Sequence, residues 1–67
     1  MMSKKTLRQF RREKDMTQEE LASLAKVTPR TISKYETKPS TLKNAKYETI
    51  SRIAKILGVS VDDIFLN

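Results

Sequence analysis

Two cations four residues apart, Arg30 and Lys34, share a short segment with two apolar residues, Ile32 and Tyr35. If that segment is helical, the apolar pair lines one face and the cations stand on the other. A guanidinium donates two parallel hydrogen bonds, a geometry that fits the O6/N7 edge of a guanine or a phosphate, whereas an ammonium acts as a point charge. Lys26 and Lys38 flank the segment and only Glu36 opposes them. A charge run of this kind is ordinarily a solvated face, yet a helix is also narrow enough to enter the DNA major groove. Other chemistry is poorly provided for. The chain has no histidine and no cysteine, so the commonest general base, nucleophile and zinc ligands are missing. Asp62 and Asp63 are adjacent, as are Ser33 and Lys34, and neighbours on a helix diverge. No catalytic site, metal site or cofactor is expected.

The elements that must position these cations announce their own starts. Thr17 and Glu20 form a T-x-x-E capping box, with Met16 and Leu21 as the accompanying hydrophobic staple, so a helix begins at about Gln18. Thr28 repeats the cap with Pro29 at the first helical position, and Val27 and Ile32 form a second staple. Two amphipathic helices joined by a four-residue turn result, with Leu21, Ala22 and Ala25 on the inner face of the first. Taken alone, this pattern specifies no more than a helical hairpin.

Around the pair, the sequence predicts a helix from about Lys4 to Lys14 after Ser3, burying Leu7 and Phe10, with Met16 closing the turn. Residues 37–46 hold Pro39, Ser40, Thr41 and Asn44 and read as a loop. A fourth helix spans about Lys46 to Leu57, where Tyr47, Ile50, Ile53, Ala54 and Leu57 recur at helical spacing, and Gly58 is its natural end. Ser60 caps a short fifth helix with Asp63 at N3, and Val59 with Ile64 makes a further staple. Five helices around one core give an all-α fold.

Sixty-seven residues allow one core, so residues 1–67 are read as a single domain. The net charge is +6 and unevenly spread: Lys4, Lys5, Arg8, Arg11, Arg12 and Lys14 open the chain, whereas residues 47–67 roughly balance. The apolar runs are too short to span a bilayer, and the MMSKK start lacks the apolar stretch of a secretory signal. With no cysteine, the chain suits a reducing cytoplasm, where a soluble protein is expected. The apolar stripes are narrow, which fits the core of a globule better than adsorption to a membrane surface.

Through Leu7, Arg11, Gln18, Glu19, Leu21, Ala22, Val27, Thr28, Ile32, Ser33 and Glu36, and again from Tyr47 to Phe65, the chain resembles the lambda-repressor and Cro-like family of helix-turn-helix domains, also called the XRE family. The resemblance implies a five-helix DNA-binding domain in which helices two and three form the helix-turn-helix and helix three enters the major groove. Thr28, Pro29, Arg30, Ser33 and Lys34 then become base-reading candidates. Arg30 is the strongest, with a phosphate clamp as its alternative, and Lys34 suits either role. Pro29 offers only apolar contact, for example with a thymine methyl, and starting the helix is sufficient reason for it.

Gln18 matches a family position that touches a phosphate and braces a base-reading side chain, although a glutamine is also ordinary at a helix start. Thr31, Lys38, Lys43 and Asn44 are further phosphate candidates, with plain solvation as the alternative for those in the loop. Arg11 and Glu36 match a pair that fixes helix three to the scaffold and aims the arginine at a phosphate; as an exposed pair it would contribute little stability. Lys26 departs from the family, which usually has glycine at this turn position, where φ tends to be positive. The loop at 37–46 is about three residues longer than usual.

These readings converge on a sequence-specific, double-stranded-DNA-binding transcriptional regulator, a repressor of phage or bacterial type, without a small-molecule effector. The competing reading is a protein-interaction module on the same fold, of antitoxin or anti-repressor kind. One recognition helix reads few base pairs, so a homodimer on a palindromic operator is expected. The C-terminal apolar residues Ile56, Val61, Phe65 and Leu66 are the candidates for its contact.

Overall fold

The computed structural model describes residues 5–65. Five α-helices follow one another: α1 (Leu7–Glu13), α2 (Gln18–Ala25), α3 (Pro29–Thr37), α4 (Tyr47–Leu57) and α5 (Val61–Phe65), with a 3-10 helix (Pro39–Asn44) between α3 and α4. No strand occurs among the described residues.

The expected caps form. The Thr17 hydroxyl accepts from the Glu20 amide at 3.0 Å while the Glu20 carboxylate accepts from the Thr17 amide at 2.8 Å. Ser60 and Asp63 do the same for α5, at 3.1 and 3.0 Å. Thr28 receives the Thr31 amide, and Pro29 stands at the start of α3, where its missing N–H removes no helical bond. Gly58 ends α4 at φ 72°, in the left-handed region that glycine enters with little strain.

Each helix contributes its apolar stripe to one core. Leu21, Ile32, Ile50, Ile53 and Ile64 are its fully buried large side chains, joined by Leu7, Ala22, Ala25, Tyr35, Ala54 and Leu57. The staple residues Met16, Val27 and Val59 are partly buried against it. α2 is the hub, packing on α3 and on α4, while α3 also contacts α1 and the 3-10 helix.

Three expectations need correction, and one feature is new. α1 does not run from Lys4 to Lys14. It starts at Leu7 because Thr6 and Gln9 form a capping box of their own, and it ends at Glu13 with Lys14 as C-cap; Ser3 and Lys4 lie outside the described residues. The segment 37–46 is not a plain loop. Thr37 still belongs to α3, residues 39–44 form the 3-10 helix, and Leu42 is buried in the core. Its Thr41 hydroxyl donates to the Lys38 carbonyl at 2.7 Å and lies 3.3 Å from the Lys34 carbonyl, so it satisfies the open end of α3. Tyr47 is in phase with the buried face of α4 yet 70% exposed at the first position of the helix. Finally, Asp15 adopts φ 54° between α1 and α2, a left-handed position the sequence did not suggest.

Candidate nucleic-acid interface

α3 presents Arg30 and Lys34 to solvent, opposite Ile32 and Tyr35, which are buried. Among the described residues, neither cation has an ion-pair partner; the ion pairs join Lys5 to Glu13, Arg11 to Glu36 and Arg52 to Glu48. Thr28 and Pro29 are exposed at the N-terminal end of the same helix, and Ser33 and Thr31 are half-buried on its flanks. The Thr28 and Thr31 hydroxyls lie 3.0 Å apart and hydrogen-bond to each other, so Thr31 is partly engaged within the cap. Lys38, Lys43 and Asn44 are exposed along the end of α3 and the 3-10 helix. The structure therefore gathers the base-reading candidates on α3 and sets the lysine-bearing segment directly after it. Burial pushes the Tyr35 phenol above its ordinary range, which keeps it a neutral hydroxyl behind this face.

A network of three residues from three helices fixes α3. Arg11 Nε donates to Glu36 Oε2 at 2.6 Å and Nη2 donates to Oε1 at 3.2 Å, a bidentate pair. The remaining terminal nitrogen, Nη1, donates to the Met16 carbonyl at 2.6 Å, tying the guanidinium to the turn after its own helix. Gln18 Nε2 donates to Glu36 Oε1 at 2.9 Å, so the carboxylate bridges the first residue of α2 and the last turn of α1.

The pair is not exposed, contrary to expectation: the Arg11 and Glu36 side chains keep only 10% and 2% of their surface in solvent. Each side-chain nitrogen of Arg11 makes one hydrogen bond inside the protein, so the guanidinium is held in place between α1, the turn after it and α3. Gln18 likewise commits its amide donor to Glu36. The resemblance already pairs Arg11 with Glu36; the bond from Gln18 to the same carboxylate is the structure's addition, since nothing in sequence spacing joins position 18 to the other two.

The turn between α2 and α3 carries the clearest departure from the family. Lys26 sits at φ 62° and ψ 41°, left-handed as a glycine would be there, with its amide directed at the Ala22 and Ser23 carbonyls. A non-glycine residue in that conformation costs roughly 1 kcal/mol. The inter-helix geometry of a glycine turn is thus kept at the expense of strain.

Of the tentative dimer residues, Ile56 and Val61 are half-buried and packed against the core. Leu66 lies outside the described residues. No described helix is long and apolar enough to cross a membrane, and no group of acidic residues suited to hold a metal occurs among the described residues.

A helix-turn-helix family model matches residues 7–64, from the first residue of α1 to the buried Ile64 of α5. No curated protein and no solved structure matches the chain significantly. The match spans every packed helix and both halves of the cation-bearing pair, and the chain belongs to the lambda-repressor and Cro-type (XRE) family of DNA-binding helix-turn-helix domains.

Proposed function

We propose that the chain is a sequence-specific transcriptional regulator, acting as a repressor of phage or bacterial type, which inserts α3 into the major groove of a palindromic operator as a homodimer. The observation that carries this reading is the exposed, unpaired Arg30 and Lys34 on a helix whose other side is locked to the scaffold. In this role Arg30 reads guanine through O6 and N7, Lys34 reads or clamps one turn further on, and Thr28, Pro29 and Ser33 shape the contact around them. Lys38, Lys43 and Asn44 lie along phosphates, as does the first turn of α2 at Gln18, where helical N–H groups lack intrahelical partners. Thr31 adds at most one phosphate bond from its shared hydroxyl.

Dimerisation follows from information content, because one helix reads too few base pairs to find a single site among a genome's competitors. The contact uses the C-terminal apolar residues Ile56 and Val61 and their neighbours Phe65 and Leu66. Selection of bound duplexes from a random library tests the whole reading. A recovered palindrome with half-sites about 34 Å apart, or a multiple of it, bound by two chains with strong salt dependence, is expected. Recovery of no consensus, with weak and salt-independent binding, would turn the assignment to the protein-interaction module.

A further inference from the structure

Arg52 stands four residues after Glu48 on α4 and, in sequence, reads as half of an exposed helical ion pair. That pair is slack: Nη2 lies 3.4 Å from a carboxylate whose side chain is 79% exposed. The stronger bond runs elsewhere. Nη1 donates to the Ala25 carbonyl at 3.0 Å, across 27 positions of chain.

Ala25 is the last residue of α2, where carbonyls lack intrahelical partners and the negative end of the helix dipole favours a cation. Its peptide leads into Lys26, the strained left-handed residue, and α3 begins three positions later at Pro29. Both polar groups of that one peptide plane are held. Its N–H faces the Ala22 and Ser23 carbonyls, and its C=O is gripped from α4. A strained backbone relaxes by rotating the adjoining peptide plane, so a bond on each side of the plane opposes the relaxation. The Arg52 bond also lies at the far end of α2 from Gln18, about 10 Å along the axis, which makes it a second anchor independent of the Arg11–Glu36 network.

We propose that Arg52 is a positioning residue for base reading: by clamping the Ala25 carbonyl it fixes the turn and so the angle at which α3 leaves α2. The proposal rests on the DNA-reading function above. Arg52→Met keeps the aliphatic stem and removes every donor; Arg52→Lys keeps the charge and one donating nitrogen. At a temperature where circular dichroism shows each variant folded, Arg52→Met should bind the selected site roughly tenfold or more weakly, as for loss of a charge-assisted hydrogen bond, and random duplex within about twofold of the wild type. Arg52→Lys should restore much of the discrimination, and Glu48→Gln should retain it. Amide exchange at Lys26 and Val27 should quicken in Arg52→Met.

Equal losses on both duplexes, or a lowered melting temperature with discrimination intact, would make Arg52 merely structural and overturn the proposal. If Arg52→Met does not fold, Arg52→Gln, shorter and uncharged, takes its place, and unchanged discrimination and exchange in that variant again overturn the proposal. If the wild type itself prefers no duplex, the DNA-reading function fails separately, and unchanged exchange at the turn in Arg52→Met would show that the clamp fails too.

Discussion

The two ends of α3 are held by opposite means. At its C-terminal half, Glu36 enters a nearly dry network in which the hydrogen bonds of Arg11 and Gln18 converge on one carboxylate. At its N-terminal end the chain turns through an exposed left-handed lysine, and restraint comes from backbone bonds, the threonine cap and the Arg52 bond to the Ala25 carbonyl. The first end is rigid because a buried charge has nowhere else to go. The second is held by small terms, each about 1 kcal/mol. Damage at the first end should therefore show as lost stability, and changes at the second as altered reading.

Glu36→Ala gives the largest expected effect. It leaves the Arg11 guanidinium buried without its carboxylate, and removing one partner of such a pair costs about 3–5 kcal/mol, to be read as a lowered urea midpoint. Replacing both residues with apolar ones of similar size, Arg11→Met with Glu36→Leu, should recover much of that loss; a double variant no more stable than the single one would show that the pair is needed for packing itself.

Arg30→Ala comes next and should leave stability within about 0.5 kcal/mol of the wild type while costing about 1–3 kcal/mol in affinity and relaxing preference at one position per half-site. Equal loss on specific and random DNA would reassign Arg30 to a phosphate. Lys26→Gly relieves the strained turn and should raise stability by a few tenths to about 1 kcal/mol, the greater freedom of glycine in the unfolded chain offsetting part of the gain. A fall in melting temperature would contradict this. The smallest effect belongs to Lys43→Ala, which should weaken binding to every duplex alike and lower the slope of log affinity against log salt by about one unit. A changed sequence preference with an unchanged slope would remove Lys43 from the backbone contacts.

Legibility followed local chemistry. The starts of α2, α3 and α5 were readable because capping boxes and staples act between residues three to five apart, and Gly58 marks the end of α4 for the same reason. The start of α1 was missed although Thr6 and Gln9 use the same signal, since Ser3 offered a cap three residues earlier. Leu42 was unreadable as core because a lone apolar residue among polar ones has no period. The family motif pointed to Arg11, Gln18 and Glu36, but whether their charges face water depends on the packing of three helices. Arg52 shows the same limit more sharply: its i,i+4 partner is visible in sequence, and its stronger, distant acceptor is a main-chain atom with no signature at all.

The hydroxyl of Thr41 has a thermodynamic consequence beyond the closing of a helix. By bonding back to α3 it joins the lysine-bearing segment to the helix that carries Arg30. A tie already made in the free protein means that the entropy of holding the two together is lost when the protein folds and not again when a duplex arrives, leaving more of each contact's free energy to appear as affinity.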